Sequence, residues 1–508
     1  MPADPAATSA SLAAAHSLSR WTSLALPHFR TGQPEAQPDT TPAHGAGPLA
    51  DACRLLSFPA GDPPADAAEA ALRDRLLQAY DKPAWLADFD RFTTGFLAGE
   101  RQLDFYSPLD DRRLPLRAAL TKHRMQFLFL GEDRARVLVL LGPFPYGLYH
   151  PAEGLFLNLH THREICRNVV HACLVEMLGQ PERFHAWLQQ GADPARRALV
   201  IGDMRPLHYY LQSLGALEAL EAPVAAFAAA GHPVLTVADW CFIDPAKIFP
   251  ALRTAKGKRL ESRHLVGHQL RHGLSTFRLY RDTRHSSLDW ADRLKLLAAP
   301  GTAEGDAAEL RVLVSLDLEK ALFLNQEAVL RAGLARLQAI AAATGRVLHL
   351  QWDGWTRAGE ALCERGQRVV AEAEALSARL LATLPEDTRS TRLFGLTVEE
   401  KIPLALGADL ALLRHGTAAM LPTSMLGIRT LAYHTPTMMR TPATARRGTH
   451  FVLPDEAVSF EHDPKLQDFV QPFTVEPEAF CAAIESVLGR SATPPRAGKA
   501  HWPRRKPA

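Results

Sequence analysis

Residues 309 to 490 repeat one pattern: a short apolar run, an amphipathic stretch, then another apolar run. "ELRVLVSLD" reads as a strand, and "NQEAVLRAGLARLQAIAAATG" as a helix with Val329, Leu330, Leu334, Leu337 and Ile340 on one face. "RVLHLQW", "EALCERGQRVVAEAEALSARLLATL" and "TRLFGL" continue as strand, helix and strand. "TVEEKIPLALG" is a helix with a capping-box pattern, Thr397 with Glu400, and with Pro403 placed to kink or shorten it. Two further apolar bursts follow, Leu410 to Leu413 and Leu431 to Tyr433. Strands alternating with helices of this length cannot pair as hairpins. They predict a parallel sheet covered on both faces.

The rest of the chain is less regular. At 508 residues it is too long for one ordinary core, so more than one domain is expected. Residues 1–60 have too few large apolar side chains to offset ordering entropy and read as a disordered extension. Residues 61–120 read as a helical lead-in, with Leu72, Leu76, Leu77 and Tyr80 as one stripe. Residues 121–295 mix strand and helix patterns and form a first α/β domain. Small and polar residues from Leu296 to Leu310 suit a connector, 309–490 is the Rossmann-like domain, and 491–508 is a Pro-rich, basic tail.

Bulk properties exclude little. A formal charge of +2 demands neither nucleic acid nor an anionic membrane as partner. Six cysteines without C-x-x-C spacing argue against a disulfide framework and fit a reducing cytosol. The N-terminus lacks a charged-then-apolar signal pattern, and no run of 18 apolar residues occurs. The expected location is cytoplasmic, with peripheral attachment to the inner membrane left open. His160, His162, Cys166, His171 and Cys173 do not fall on one helical face, so no metal is expected. "GHQLRHGLSTFRLYR" gathers His268, Arg271, His272, Arg278 and Arg281, which could meet phosphates near the interdomain cleft or form an ordinary solvated basic face. Walker, G-x-S-x-G, H-E-x-x-H and dinucleotide fingerprints are missing.

In open α/β sheets ligands bind beyond the carboxyl ends of the strands, so the corners are the places to search. The first corner, "VSLDLEKALFLNQE", brings Lys320 to a strand end, where it could neutralise a diphosphate; Asn325 suits a helix N-cap. The second, "LHLQWDGWTR", has a tight turn at Asp353-Gly354 between Trp352 and Trp355, a platform for a sugar ring or an ordinary packed turn. The third is "LLRHGTAAM". Gly416 lets the backbone approach a ligand, Thr417 can cap the following turn, and His415 supplies a donor beside it. In the first domain, "VIGDMRPLHYYLQSLG" offers His208 as a general base, with Asp203 at a strand end to orient it. Each has a plain structural alternative, in which Asp203 caps a helix and His208 is a satisfied core or surface residue.

The ordered set "LVSLDLEKALFLNQE", "LQWDGWT", "GLTVEEKIPLALGADLALLRHGT" and "GIRTLAYH", from 310 to 435, resembles the C-terminal half of bacterial polysaccharide-type glycosyltransferases of GT-B architecture. The resemblance implies two Rossmann-like domains, with a nucleotide-sugar donor in the second and a glycan or lipid-linked acceptor in the first. Lys320, Asp353, Trp355, His415, Gly416 and Thr417 would bind substrate, and His208 and Asp203 would be catalytic. No cofactor is implied. One departure is Ala418-Ala419-Met420, where such proteins commonly carry a basic residue after the G-T corner. That departure leaves two rivals in play: a catalytically silent GT-B-like scaffold or partner-binding protein, and a sugar-nucleotide epimerase.

Overall fold

A computed structural model describes residues 54–57, 82–107, 112–123, 125–131, 138–142, 147–150, 155–158, 172–173, 176–177, 179–253, 257–280, 289–295, 308–359, 361–439, 450–463, 466 and 470–489. The readings placed on 1–53, 61–81, 296–307 and 491–508, and the stretch from His160 to His171, lie outside the described residues. The chain forms two compact units, 1–241 with 245–285, and 242–244 with 286–508.

Unit 1 holds two sheets. The first contains β1 (Arg54–Ser57), β2 (Asp104–Ser107), β3 (Arg112–Lys122), β4 (Met125–Leu130), β5 (Leu138–Gly142), β6 (Gly147–His150) and β7 (Leu155–Asn158) in the order β1-β7-β6-β5-β4-β3-β2. Every pair is antiparallel except β1 with β7. The helical reading of 61–120 therefore holds for Lys82–Leu97 and stops there. The physical reason is local. Leu114 and Leu116 are buried while Arg113 is exposed and Pro115 and Arg117 are half-buried, a period of two that suits a strand. The helix Lys82–Leu97 instead buries Phe89, Phe92 and Phe96, whose rings pack against Phe277 at 5.4, 5.3 and 5.3 Å.

The second sheet of unit 1 is parallel: β8 (Arg197–Ile201), β9 (Val234–Val237), β10 (Gly257–Leu260) and β11 (Ser275–Arg278), in the order β10-β9-β8-β11. A buried polar network joins β3 to β11. Ala119 N–H donates to Ser275 Oγ (2.8 Å), Thr121 N–H to Gln269 Oε1 (2.9 Å) and Gln126 Nε2 to the Thr276 carbonyl (2.9 Å). These side chains satisfy two strand amides and one strand carbonyl that would otherwise be buried without partners.

Unit 2 is built on six parallel strands: β12 (Glu309–Ser315), β13 (Val347–Asp353), β14 (Arg389–Arg392), β15 (Leu410–Arg414), β16 (Thr430–Tyr433) and β17 (His450–Val452). Their order is β14-β13-β12-β15-β16-β17. The chain thus starts in the middle of the sheet, winds to one edge, returns, and winds to the other. That is the doubly wound arrangement, whose order reverses between β12 and β15. Alternation along β12 explains the two covered faces. Leu310, Val312 and Val314 pack with the helices Gln326–Ala343, Glu364–Leu381 and Pro477–Gly489, while Leu313 packs with Ala405, Ala411 and Ala419 on the other side. The capping box at Thr397 and Glu400 is formed, and Pro403 lies inside a helix that ends at Ala405.

At the amino ends of these strands sits a buried carboxylate. Glu309 accepts from Arg311 Nε (2.7 Å), His349 Nδ1 (3.0 Å) and Arg389. Burial alone would raise its pKa, but the hydrogen bonds from His349, Arg311 and Arg389 prevail and hold it at about 2. A depressed carboxyl contributes stability that is complete above the ordinary value of 4.5 and is lost as pH falls from 4.5 to about 2. Glu309→Gln should therefore lower unit 2 stability at pH 7 by roughly 2 kcal/mol and flatten its acid limb over that window. Urea midpoints from pH 7 to 2.5 measure both, and parallel acid limbs for the two proteins would refute the assignment.

Candidate functional site

At the carboxyl end of β12 the chain enters a ten-residue loop, 316–325, before the helix at Gln326. Asp317 organises it. Its Oδ2 accepts the amides of Leu322 (3.1 Å) and Phe323 (3.2 Å), and its own amide donates to Gln326 Oε1 (2.7 Å). The turn this closes forces Ala321 to φ 50, a left-handed conformation that costs a residue with a Cβ about 1 kcal/mol. Lys320, the preceding residue, is exposed at the tip. Asn325 occupies the N-cap position but makes no capping bond. Its amide instead pairs like a strand with Val475, giving and accepting one hydrogen bond (2.8 and 3.0 Å).

The neighbouring strand β15 ends on Arg414, His415 and Gly416. Arg414 Nε contacts Asp317 Oδ1 at 2.9 Å and Nη1 lies 3.3 Å from His434 Nε2 at the end of β16. This pair ties β12 to β15 across the point where the strand order reverses. Burial, then the charges of Arg414, His415 and Lys320, push His434 down to about 3, so it is neutral near pH 7. Tyr433 is fully buried, and its hydroxyl has no hydrogen-bond partner among the described residues. Burial and the charge of Asp317 push that phenol up.

Gly416 adopts φ 128 and ψ −139, a conformation open essentially to glycine alone, and a side chain built on it would meet open space. Thr417 does not cap the turn as expected. Gly416 takes the N-cap position, Thr417 is the first helical residue, and it is exposed. The reason is Gly416 itself, whose backbone already departs from the helix one residue earlier than a threonine cap would. A 3₁₀ turn (Thr417–Ala419) then passes into a π-helical stretch, Met420–Met425. His415 is buried, donates its amide to the Tyr433 carbonyl (2.9 Å) and sets its ring against His450.

The Asp353-Gly354 corner is locked from beneath. Lys401, wholly buried, directs its ammonium to Asp353 Oδ1 (2.6 Å), Thr356 Oγ1 (2.8 Å) and the carbonyls of Gly354 (3.3 Å) and Trp355 (3.4 Å). Asp353 is therefore a neutralised carboxylate. Trp355 is half-buried and packs on the helix start, so close that a methyl group on Gly366 would lie 2.7 Å from Trp355 Nε1. Sequence reasoning overlooked Lys401. The signal was present, since Val398, Ile402 and Ala405 define the buried stripe of that helix and position 401 falls on it.

In unit 1 the corner after β8 carries Gly202 at φ 141, then Asp203. The Asp203 carboxylate, 1% exposed, pairs with the buried guanidinium of Arg278 from neighbouring β11 and accepts the Arg205 amide (2.9 Å). His208 Nδ1 lies 2.7 Å from Gln212 Oε1, which can only accept, so the Nδ1 proton is fixed there. Gln212 and Asp203 thus serve different partners. Here too the helix becomes π-helical, over Tyr209–Leu214.

The strand order makes unit 2 a doubly wound α/β unit, with the polar residues Asp317, Arg414 and His434 at its reversal point. The chain matches no protein-family model, no curated protein and no solved structure. Among the described residues no helix is long and apolar enough to cross a membrane.

Proposed function

We propose that this chain is a glycosyltransferase of GT-B type that transfers a sugar from a nucleotide-sugar donor to a glycan or other hydroxyl acceptor. The observation that carries the reading is the reversal of strand order between β12 and β15, because loops that leave toward opposite faces open a crevice at that point. Around it stand Lys320, Arg414, the corner at Gly416 and a buried tyrosine hydroxyl. A departing diphosphate needs cations and N–H donors, and no covalent help. Lys320, exposed on the loop after β12, supplies charge that Ala418-Ala419 do not, whereas Arg414 is already paired with Asp317. The glycine corner gives a phosphate close access to backbone amides. π-Helical turns like Met420–Met425 recur at functional sites.

In unit 1 the acceptor hydroxyl would lose its proton to His208. With Nδ1 donating to Gln212, its basic lone pair is on Nε2. Asp203 and Asp353 act as anchors of their corners, since Arg278 and Lys401 neutralise them. That neutralisation also favours the second reading, a silent scaffold on the same architecture, because it removes two carboxylates from chemistry.

Thermal shift with nucleoside diphosphates separates the two. At a ligand concentration 100-fold above Kd, binding stabilises the folded state by about 2.7 kcal/mol. One nucleoside diphosphate should raise Tm by several degrees, and Gly416→Trp, which fills the open corner and also strains a glycine-only backbone, should abolish that rise from a lower ligand-free Tm. A flat response to every nucleotide would leave the scaffold. Loss of a nucleotide sugar without any acceptor would indicate the epimerase.

A further inference from the structure

One sequence motif of unit 1 lies outside both corners. "GHQLRHG" sets His268 and His272 four residues apart. Both belong to the helix Leu265–His272. Residues i and i+4 of a helix stand one above the other on the same face. The two imidazoles do meet there, with ring centroids 4.3 Å apart and planes tilted by 50°.

The helix holds this pair in place. Leu265, Val266 and Leu270 are buried. Gln269, on the same buried side, ties the helix to β3: its Oε1 accepts the Thr121 amide (2.9 Å) and its Nε2 donates to the Thr121 carbonyl (2.9 Å). Gly273 closes the helix at φ 63, and its amide donates to the carbonyls of Gln269 and Leu270. His268 is half-buried, so its surroundings restrict the ring, whereas His272 is exposed and can turn. Among the described residues no hydrogen bond or ion pair engages a nitrogen of either ring. Both rings therefore have nitrogens available to a ligand.

We propose that His268 and His272 form a bidentate site for a late first-row divalent cation of the Zn²⁺, Ni²⁺ or Cu²⁺ kind. Two imidazole nitrogens about 2.1 Å from one ion place their ring centroids about 5 Å apart. The observed spacing falls short of that by less than about 1 Å, which rotation of the exposed His272 ring makes up. The class of ion follows from the ligands and their setting. Imidazole suits these metals, whereas Mg²⁺ and Ca²⁺ take oxygen ligands. Among the described residues no group of three His, Cys, Asp or Glu is placed to hold a metal, so the pair acts alone. The charges of Lys258 and Arg271 reach the His268 ring and oppose any cation. An ion held by charge alone is thus disfavoured, and one that bonds strongly to imidazole is selected. The carbonyl end of the helix, where the pair sits, offsets part of the repulsion. With two protein ligands, water fills the other positions and the ion is exchangeable.

The test is calorimetric titration of the full chain with ZnCl₂ and with NiCl₂. The chain has 21 histidines and six cysteines, so background binding is measured on the double variant His268→Ala, His272→Ala and subtracted. One ion per chain is expected above that background. Either single change, His268→Ala or His272→Ala, removes the chelate and should weaken this site on the order of 100-fold. His264→Ala, on the exposed turn before, is the control and should leave it unchanged. Unaltered circular-dichroism melts exclude misfolding, and His268→Phe, which keeps the ring volume, serves if His268→Ala does not fold. No binding above background overturns the proposal. So does equal binding by the parent and either single variant, or displacement of Zn²⁺ by an equal concentration of MgCl₂. None of these results bears on the nucleotide reading, which concerns unit 2.

Discussion

Lys401→Met should destabilise unit 2 by about 3–5 kcal/mol, because it removes the ammonium and leaves Asp353 buried without its countercharge. The methionine fills much of the same volume, so packing loss is a minor part. Lys401 is wholly buried and Asp353 is 5% exposed, so water cannot readily replace the lost partner. Two carbonyls and the Thr356 hydroxyl lose a donor in the same stroke. Urea unfolding followed by Trp352 and Trp355 fluorescence measures the effect. The double variant with Asp353→Leu should recover much of it, since exchanging a buried ion pair for apolar groups is often close to neutral. A Lys401→Met loss below about 1 kcal/mol would show that the pair is solvated and that Asp353 is available to a ligand.

Arg278→Met is the second large effect, again about 3–5 kcal/mol, now in unit 1. The guanidinium is 2% exposed, pairs with Asp203, donates to the Gly202 carbonyl at 3.2 Å and lies over the Tyr280 ring. Its loss should loosen the corner that presents His208 as well as strand β11. Asp203→Asn is the informative companion. If Asp203 anchors the corner, that change lowers stability and, under the proposed function, alters nucleotide-sugar turnover in proportion. If Asp203 were a catalytic acid or base, turnover would collapse while the unfolding midpoint stayed in place. Paired midpoints and turnover rates for both variants distinguish the roles.

What the sequence disclosed was periodic. Strands β12, β13, β15 and β16 are short apolar runs, whereas β14 is Arg389–Arg392, mostly upstream of the apolar residues read as that strand; the Thr397 box marks a helix start without reference to the rest of the chain. Three kinds of feature were out of reach. The pairing of β3 with β4 was hidden because the alternation at Leu114 and Leu116 passes into Arg117-Ala118-Ala119-Leu120, residues that suit a helix as well as a strand. The Asp203–Arg278 pair joins positions far apart in the chain, and only the β8–β11 register brings them together. Charge also misled. Lys401 and Arg414 look like surface residues until the sheet covers them, because burial of a cation depends on a carboxylate that local pattern does not reveal. The Gly416 corner was found from its residues alone, while the part taken by Arg414 required the neighbouring strand.

Gly333 carries a consequence for how unit 2 is made. On the helix Gln326–Ala343 it has room only for hydrogen, since a Cβ would meet Phe480 at 2.7 Å on Pro477–Gly489, the last helix among the described residues. Strand β12 likewise takes β15 as a neighbour across a long intervening stretch. The earliest-synthesised elements of the unit thus wait for the latest. On a ribosome their apolar faces stay uncovered until the final helix emerges, a high-separation topology that folds slowly and leans on protection from aggregation in the meantime.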